Sequence, residues 1–140
     1  MPKKAKKTIR LSAAEKQLLD RAMAAQQQAY APYSRFQVGA ALQSENGEIF
    51  IGVNLENASY GATVCAERNA VAQAVSQGQR KFVQLAVVTS ASPPAPPCGM
   101  CLQVLVEFCP DLRLLLANPE GEVERTRLSR LLPRSFVHPK

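Results

Sequence analysis

The stretch "VQLAVVTSASPPAPPCGMCLQV", residues 83–104, decides the fold. Its first eight residues form a continuous apolar, β-branched run, which predicts a strand covered on both faces rather than one with a face in water. Four prolines, Pro93, Pro94, Pro96 and Pro97, stiffen the connection that follows, and Cys98 comes immediately after them. From Gly99 onward Met100, Val104, Leu105 and Phe108 recur at helical spacing until "CPD" ends the helix. The next apolar run opens "LRLLLANPEGEVERT", which reads as a strand, a Pro-Glu-Gly turn and a weaker strand. Strands alternating with helices in this half of the chain imply parallel pairing.

Working back from there, "TVCAERNA" (residues 63–70) opens another helix at Cys65. Ala66, Ala70, Val71, Ala74 and Val75 mark its apolar face, and Gly78 its stop. Val38–Leu42 and "IFIGVN", joined by "SENGE", read as an antiparallel hairpin around a tight Asn46-Gly47 turn. Ahead of it, Ser12 with Glu15 has capping-box spacing, and Leu18, Leu19, Ala22, Met23 and Ala25 carry an amphipathic helix to about Gln28. With a short C-terminal helix the order is α, β, β, α, β, α, β, β, α. The fold class expected is α/β, three layers α/β/α, with a mixed five-stranded sheet.

At 140 residues the chain is long enough for one core and too short for two. Residues 11–140 therefore read as a single domain behind a basic, disordered tail at 1–10. Hydrophobic residues at 46% and charged residues at 20% exclude global disorder. No apolar run approaches the eighteen or so residues of a membrane span, and the first segment lacks a signal-peptide core, so a cytoplasmic protein is expected, with no membrane partner. The net charge of +6 is concentrated at the two ends, in Lys3, Lys4, Lys6, Lys7 and Arg10 and in Arg125, Arg127, Arg130, Arg134 and Lys140. Aromatic residues do not interleave with either cluster, so solvated charge is preferred over a nucleic-acid partner.

Four cysteines without an export signal favour thiols or metal ligation over disulfides. Cys98 and Cys101 form a C-x-x-C at one helix mouth, and Cys65 lies at another. Helix N-termini side by side would gather three sulfurs and lower their pKa. Zinc takes thiolates tetrahedrally, and a catalytic site keeps three protein ligands with the fourth place open for water. Cys109, roughly 12 Å further along its helix at 1.5 Å per residue, is too distant to join and is expected to be buried and structural. Glu67, one turn into a buried helix, suits general acid/base work, although a glutamate there can also simply compensate the helix dipole. Arg68, on the same face as Cys65, can share thiolate charge or can be an ordinary packing arginine.

The motifs "CAE" and "PCGMC" are the cysteine form of the zinc-deaminase signature. With "PYSRFQVGAAL", "GVNLENASYGATVCAERNAV" and "LLPRSF", the chain resembles the small homotetrameric cytidine deaminases from about Pro32 to Phe136. The resemblance implies one zinc ion per chain on Cys65, Cys98 and Cys101, with Glu67 relaying protons and Arg68 supporting the ligands. It implies hydrolytic deamination of cytidine and 2′-deoxycytidine, as in pyrimidine salvage, with no organic cofactor. Asn54 and Glu56 would hold the ribose 3′-hydroxyl and Phe36 would stack on the base. Ala58, Tyr60 and Phe136 would act across subunit boundaries of a homotetramer. For Phe36 and Phe136 core packing is the alternative. The chain departs from the family where an arginine usually follows the last ligand, here Leu102, and where Met100 replaces a common alanine. Three rivals remain at this stage: a deaminase of cytosine in single strands, one acting on a cytosine-containing antibiotic nucleoside, and a non-enzymatic zinc-stabilised binding module.

Overall fold

The computed structural model describes residues 9–139; the expected basic tail, apart from Ile9 and Arg10, lies outside the described residues. The elements are α1 (Ala13–Gln26), β1 (Gly39–Ser44), β2 (Ile49–Val53), a 3-10 turn (Tyr60–Ala62), α2 (Ala66–Ser76), β3 (Phe82–Val88), α3 (Gly99–Phe108), β4 (Arg113–Ala117), β5 (Val123–Arg127) and α4 (Leu128–Leu131). They form one five-stranded sheet in the order β2-β1-β3-β4-β5. Only β3 and β4 pair in parallel, through the crossover helix α3, and the other neighbours are antiparallel. The mixed sheet and the element order expected from the sequence are both present.

Helix α1 begins where its capping box dictates. The Glu15 N–H donates to Ser12 Oγ at 3.1 Å and the Ser12 N–H donates to Glu15 Oε1 at 2.9 Å. The β1–β2 connection differs from the expected two-residue turn. Gly47 N–H donates to Ser44 O, Ser44 N–H donates to Glu48 O, and Gly47 sits at φ +91. The loop is thus a three-residue one with Gly47 as the left-handed bulge residue, a role glycine fills without steric penalty.

The two faces of the sheet bury different side chains. Leu42, Leu85, Leu114 and Leu116 pack with Ala66, Ala70, Val71 and Leu105 under α2 and α3. Ala41, Ala86, Val88 and Leu115 pack with Leu18, Leu19 and Ala22 of α1. Strand β3 alternates between these cores, which is why its sequence is apolar at nearly every position. Two strand glycines let the helices come close. A Cβ on Gly39 would lie 2.1 Å from Ala22 O, and one on Gly52 would lie 2.0 Å from Ala66 O. Gly52 therefore seats the first turn of α2 directly on β2, and Asn69 Nδ2 clamps it there by donating to Val53 O at 2.7 Å.

Candidate metal centre and catalytic site

Helices α2 and α3 both start at the end of the sheet where β2 and β3 finish. Cys65 is the N-cap of α2 and Cys98 the N-cap of α3, both in extended backbone, and neither sulfur caps its own helix. The sulfurs are thereby free to face each other. Cys65 Sγ lies 3.8 Å from Cys98 Sγ, and Cys98 Sγ lies 3.5 Å from Cys101 Sγ. All three lie within 4.8 Å of one another and none is in a disulfide. A tetrahedral ion with bonds of about 2.3 Å to sulfur spaces its ligands about 3.8 Å apart, whereas a disulfide needs about 2.05 Å. This donor set fits zinc.

The electrostatics prepare the same site. A hydrogen bond from the Cys101 thiol, with help from Arg68, brings the Cys65 pKa down to about 5. Arg68 Nη2 donates to Cys65 Sγ at 3.6 Å. Cys101 is pushed up, chiefly because it gives that hydrogen bond to Cys65 and is buried. With a cation held by the three sulfurs Cys101 would instead be deprotonated, as a ligating thiol is. Glu67, 4% exposed in the first turn of α2, is raised to about 7, burial being the main cause. A carboxyl balanced there can accept a proton and return it near neutral pH. Leu102, at the position where the resemblance leads one to expect arginine, is buried in the core under α2 and α3. Arg68 is thus the basic side chain that reaches a ligand sulfur among the described residues.

Asn54 and Glu56 stand at the end of β2 and organise the loop at 33–38. Asn54 Oδ1 accepts from Val38 N–H at 2.9 Å and its Nδ2 donates to Phe36 O at 2.7 Å. Glu56 Oε1 accepts from the N–H groups of Tyr33 and Ser34, and Ser34 Oγ donates to Oε2 at 2.5 Å. The Ser34 hydroxyl is the first cause of the lowered Glu56 pKa, so the carboxylate stays ionised. Between these two anchors Arg35 holds φ +59, a strained value for a side chain of its size. A cleft of about 370 Å³ opens beside Glu56, lined also by Tyr33, Ser34, Asn57, Tyr60 and Thr63. Beyond these bonds Asn54 retains one amide N–H and Glu56 retains spare lone pairs.

Phe36 is 37% exposed and Phe136 69% exposed, so neither is a core residue. Ala58 is exposed, and Tyr60 projects from the 3-10 turn with its ring edge-on to Tyr33 at 6.0 Å. Cys109 stands apart from the three clustered sulfurs as the C-cap of α3. It is half-buried, packed against the core at the end of α3, where the sequence leads one to expect a buried residue. Reasoning from the sequence missed Tyr33 and Ser34, whose link to Glu56 spans 23 and 22 positions, and Gln103, which bonds the C-terminal segment. For these no local pattern exists. The glycines inside "QVGAAL" and "IGVN" were a usable signal for the close helix approaches.

Residues 12–115 match the family model of the cytidine and deoxycytidylate deaminase zinc-binding region. The chain is 49% identical over 121 residues to a cytidine deaminase of Halalkalibacterium halodurans, covering 86% of this chain and 92% of that one. It is 50% identical over 113 residues to a cytidine deaminase of Sporosarcina psychrophila, covering 80% and 83%. Among solved structures, the cytidine deaminase of Burkholderia pseudomallei superposes with a TM-score of 0.84 at 46% identity, covering 86% of this chain and 98% of that one.

Proposed function

The chain belongs to the cytidine and deoxycytidylate deaminase family, and from that premise we propose that it hydrolyses cytidine and 2′-deoxycytidine to uridine and 2′-deoxyuridine with release of ammonia. The cofactor is Zn²⁺, one per chain. The observation that carries this reading is the set of three sulfurs, brought from two helix mouths to within 4.8 Å of one another, with a buried carboxyl raised to about 7 in the first turn of one of those helices.

Cys65, Cys98 and Cys101 hold the metal, which when bound supplies Lewis-acid chemistry that makes water nucleophilic near neutral pH. Glu67 takes a proton from the attacking water and delivers it to N3 of the pyrimidine. It then carries a second proton to the amino group on C4, which departs as ammonia while the carbonyl of uridine forms; one water is consumed and no redox change occurs. Arg68 shares the negative charge of Cys65 and so tempers the electron-rich ligand set. Asn54 and Glu56 bind the ribose 3′-hydroxyl with the donor and acceptor sites that the 33–38 loop leaves free, and Phe36 stacks on the base.

The working unit is a homotetramer, in which Ala58, Tyr60 and Phe136 complete the site of a neighbouring subunit. Supporting this are the large exposed apolar side chains Tyr30, Tyr33, Leu55, Tyr60, Met100 and Phe136, which an interface between subunits would cover. The catalytic unit is the single domain from residue 11 onward. Its compartment is the cytoplasm, where reducing conditions keep ligand thiols free.

One assay separates this function from its rivals. Purified protein is incubated with cytidine, 2′-deoxycytidine, free cytosine, a cytosine-containing antibiotic nucleoside and a short cytosine-bearing single strand, and ammonia is measured. Turnover of the two nucleosides and not of the strand is expected. Turnover of the strand alone would assign a nucleic-acid deaminase, and no turnover with zinc bound would leave a binding module.

A further inference from the structure

The groups proposed to hold the sugar and the base come from different segments. Asn54 and Glu56 follow β2, whereas Phe36 lies in the loop that precedes β1. One hydroxyl joins them. Ser34 Oγ donates to Glu56 Oε2 at 2.5 Å and accepts from the Phe36 N–H at 3.0 Å. Because the Phe36 N–H can only donate, the single proton of the serine hydroxyl is left for the carboxylate.

The rest of the loop is arranged around this bridge. The N–H groups of Tyr33 and Ser34 donate to Glu56 Oε1 at 2.9 and 3.1 Å, so the carboxylate takes its donors from two consecutive residues. Arg35, between Ser34 and Phe36, holds φ +59 while its N–H donates to Ala31 O at 2.9 Å. Left-handed backbone under a side chain of this size persists only where neighbouring contacts over-determine it. On the far side of Arg35, Asn54 Nδ2 donates to Phe36 O at 2.7 Å. The backbone of Phe36 is therefore tied to Glu56 through Ser34 and to Asn54 directly. Among the described residues the Ser34 hydroxyl bonds Glu56 and Phe36, and no residue of the metal centre.

We propose that Ser34 is a positioning residue for the sugar, whose hydroxyl fixes the Glu56 carboxylate relative to Phe36 and thereby sets the preference for a nucleoside carrying a 3′-hydroxyl. This rests on Glu56 being the ribose contact, as proposed above. The Ser34 hydroxyl and the two backbone N–H groups keep the carboxylate ionised, so it accepts and cannot donate. The sugar must then present a hydroxyl proton to it. A carboxylate already held in place loses little freedom when that hydroxyl arrives. Without the Ser34 hydroxyl, Oε2 loses the donor that fixes it, and the Phe36 N–H loses its acceptor.

The test compares cytidine with 3′-deoxycytidine, which differ only in the hydroxyl assigned to Glu56. Steady-state kinetics are measured on the zinc-loaded parent, Ser34→Ala, Ser34→Thr, Glu56→Gln and the Ser34→Ala/Glu56→Gln double variant. In kcat/KM the parent should prefer cytidine by about 10–100-fold, the range of a hydrogen bond to a charged group. Ser34→Ala should raise the KM for cytidine by about tenfold, with kcat and zinc content near those of the parent. The KM for 3′-deoxycytidine should hardly move, so the preference shrinks. Ser34→Thr, which keeps the hydroxyl, should behave as the parent does, and Ser34→Ala should add little to Glu56→Gln. A preference left unchanged by Ser34→Ala, whether KM stays constant or rises equally for both nucleosides, overturns the proposal and leaves Ser34 a part of the loop fold alone. Equal losses in Ser34→Thr and Ser34→Ala overturn it as well. A parent indifferent to the 3′-hydroxyl, or inactive on both nucleosides, overturns the ribose contact or the proposed function and this inference with it, so the parent's own rates tell the failures apart.

Discussion

Gln103 donates from Nε2 to the backbone carbonyl of Phe136 at 3.0 Å, tying the helix that carries Cys101 to the segment that carries an exposed phenylalanine. A hydrogen bond of this kind contributes about 0.5–1.5 kcal/mol. Gln103→Leu should therefore raise the KM for cytidine by up to about tenfold while leaving kcat and zinc content near those of the parent. Phe136→Ala should raise KM as well, and the double variant should be little worse than Phe136→Ala alone. Fully additive effects would show that Gln103 does not act through Phe136.

Glu67→Ala should retain one zinc per chain and lose turnover by about 10²–10⁴-fold, the range associated with a positioned proton carrier. Atomic absorption and an ammonia assay on the same sample check both halves. Zinc lost together with activity would instead make Glu67 a structural support of the centre.

Stripping the metal with a chelator should abolish turnover and lower the melting temperature, with both restored by added Zn²⁺ in proportion to its free concentration. Cys101→Ser, which replaces the fully buried sulfur, should behave as the stripped protein does. Turnover that persists without metal would rule out the mechanism.

Gly52→Ala should be felt at the metal centre although position 52 touches no ligand. The added methyl would meet Ala66 O at 2.0 Å and Ala70 N at 2.5 Å, both backbone atoms. Helix α2 must shift, which costs about 1–3 kcal/mol and moves Cys65 against Cys98. Urea unfolding and a zinc competition titration should show lower stability and weaker zinc binding together. Reduced stability with unchanged zinc affinity would mean that α2 yields elsewhere.

Acid should weaken the anchor between α1 and β5. A hydrogen bond from Arg125, followed by the Ser12 contacts, holds Glu15 at a pKa of about 2 against an ordinary 4.5. A carboxyl depressed in the folded state adds stability above its unfolded pKa and loses it as pH falls from about 4.5 through about 2. Because Arg125 is 45% exposed, solvent screening reduces the gain to about 1 kcal/mol. Arg125→Gln should be less stable than the parent by that amount at pH 7, and the gap should close towards pH 2. A gap that is constant with pH would point to lost packing instead of lost charge.

The local elements were legible in the residues because each is written at short range. The Ser12–Glu15 capping box, the proline-bounded helix from Gly99 and the doubly covered strand β3 all declare themselves through spacing or through an unbroken apolar run. The candidate metal ligands were legible for the same reason, since a C-x-x-C at a helix mouth and a third cysteine at another allow few other uses.

What the tertiary structure alone decided are the contacts that depend on where distant segments cross. The 3.8 Å approach of Cys65 to Cys98 spans 33 positions, the Gln103–Phe136 bond another 33, and the Arg125–Arg10 clamp 115. Asn54 and Glu56 could be singled out in the sequence, but their grip on the 33–38 loop could not. Helix and strand periodicity comes from the geometry of neighbouring residues, so it is encoded residue by residue. Side-chain hydrogen bonds between distant segments arise only once burial of the two cores has set the strand order and drawn the helices against the glycines of β1 and β2.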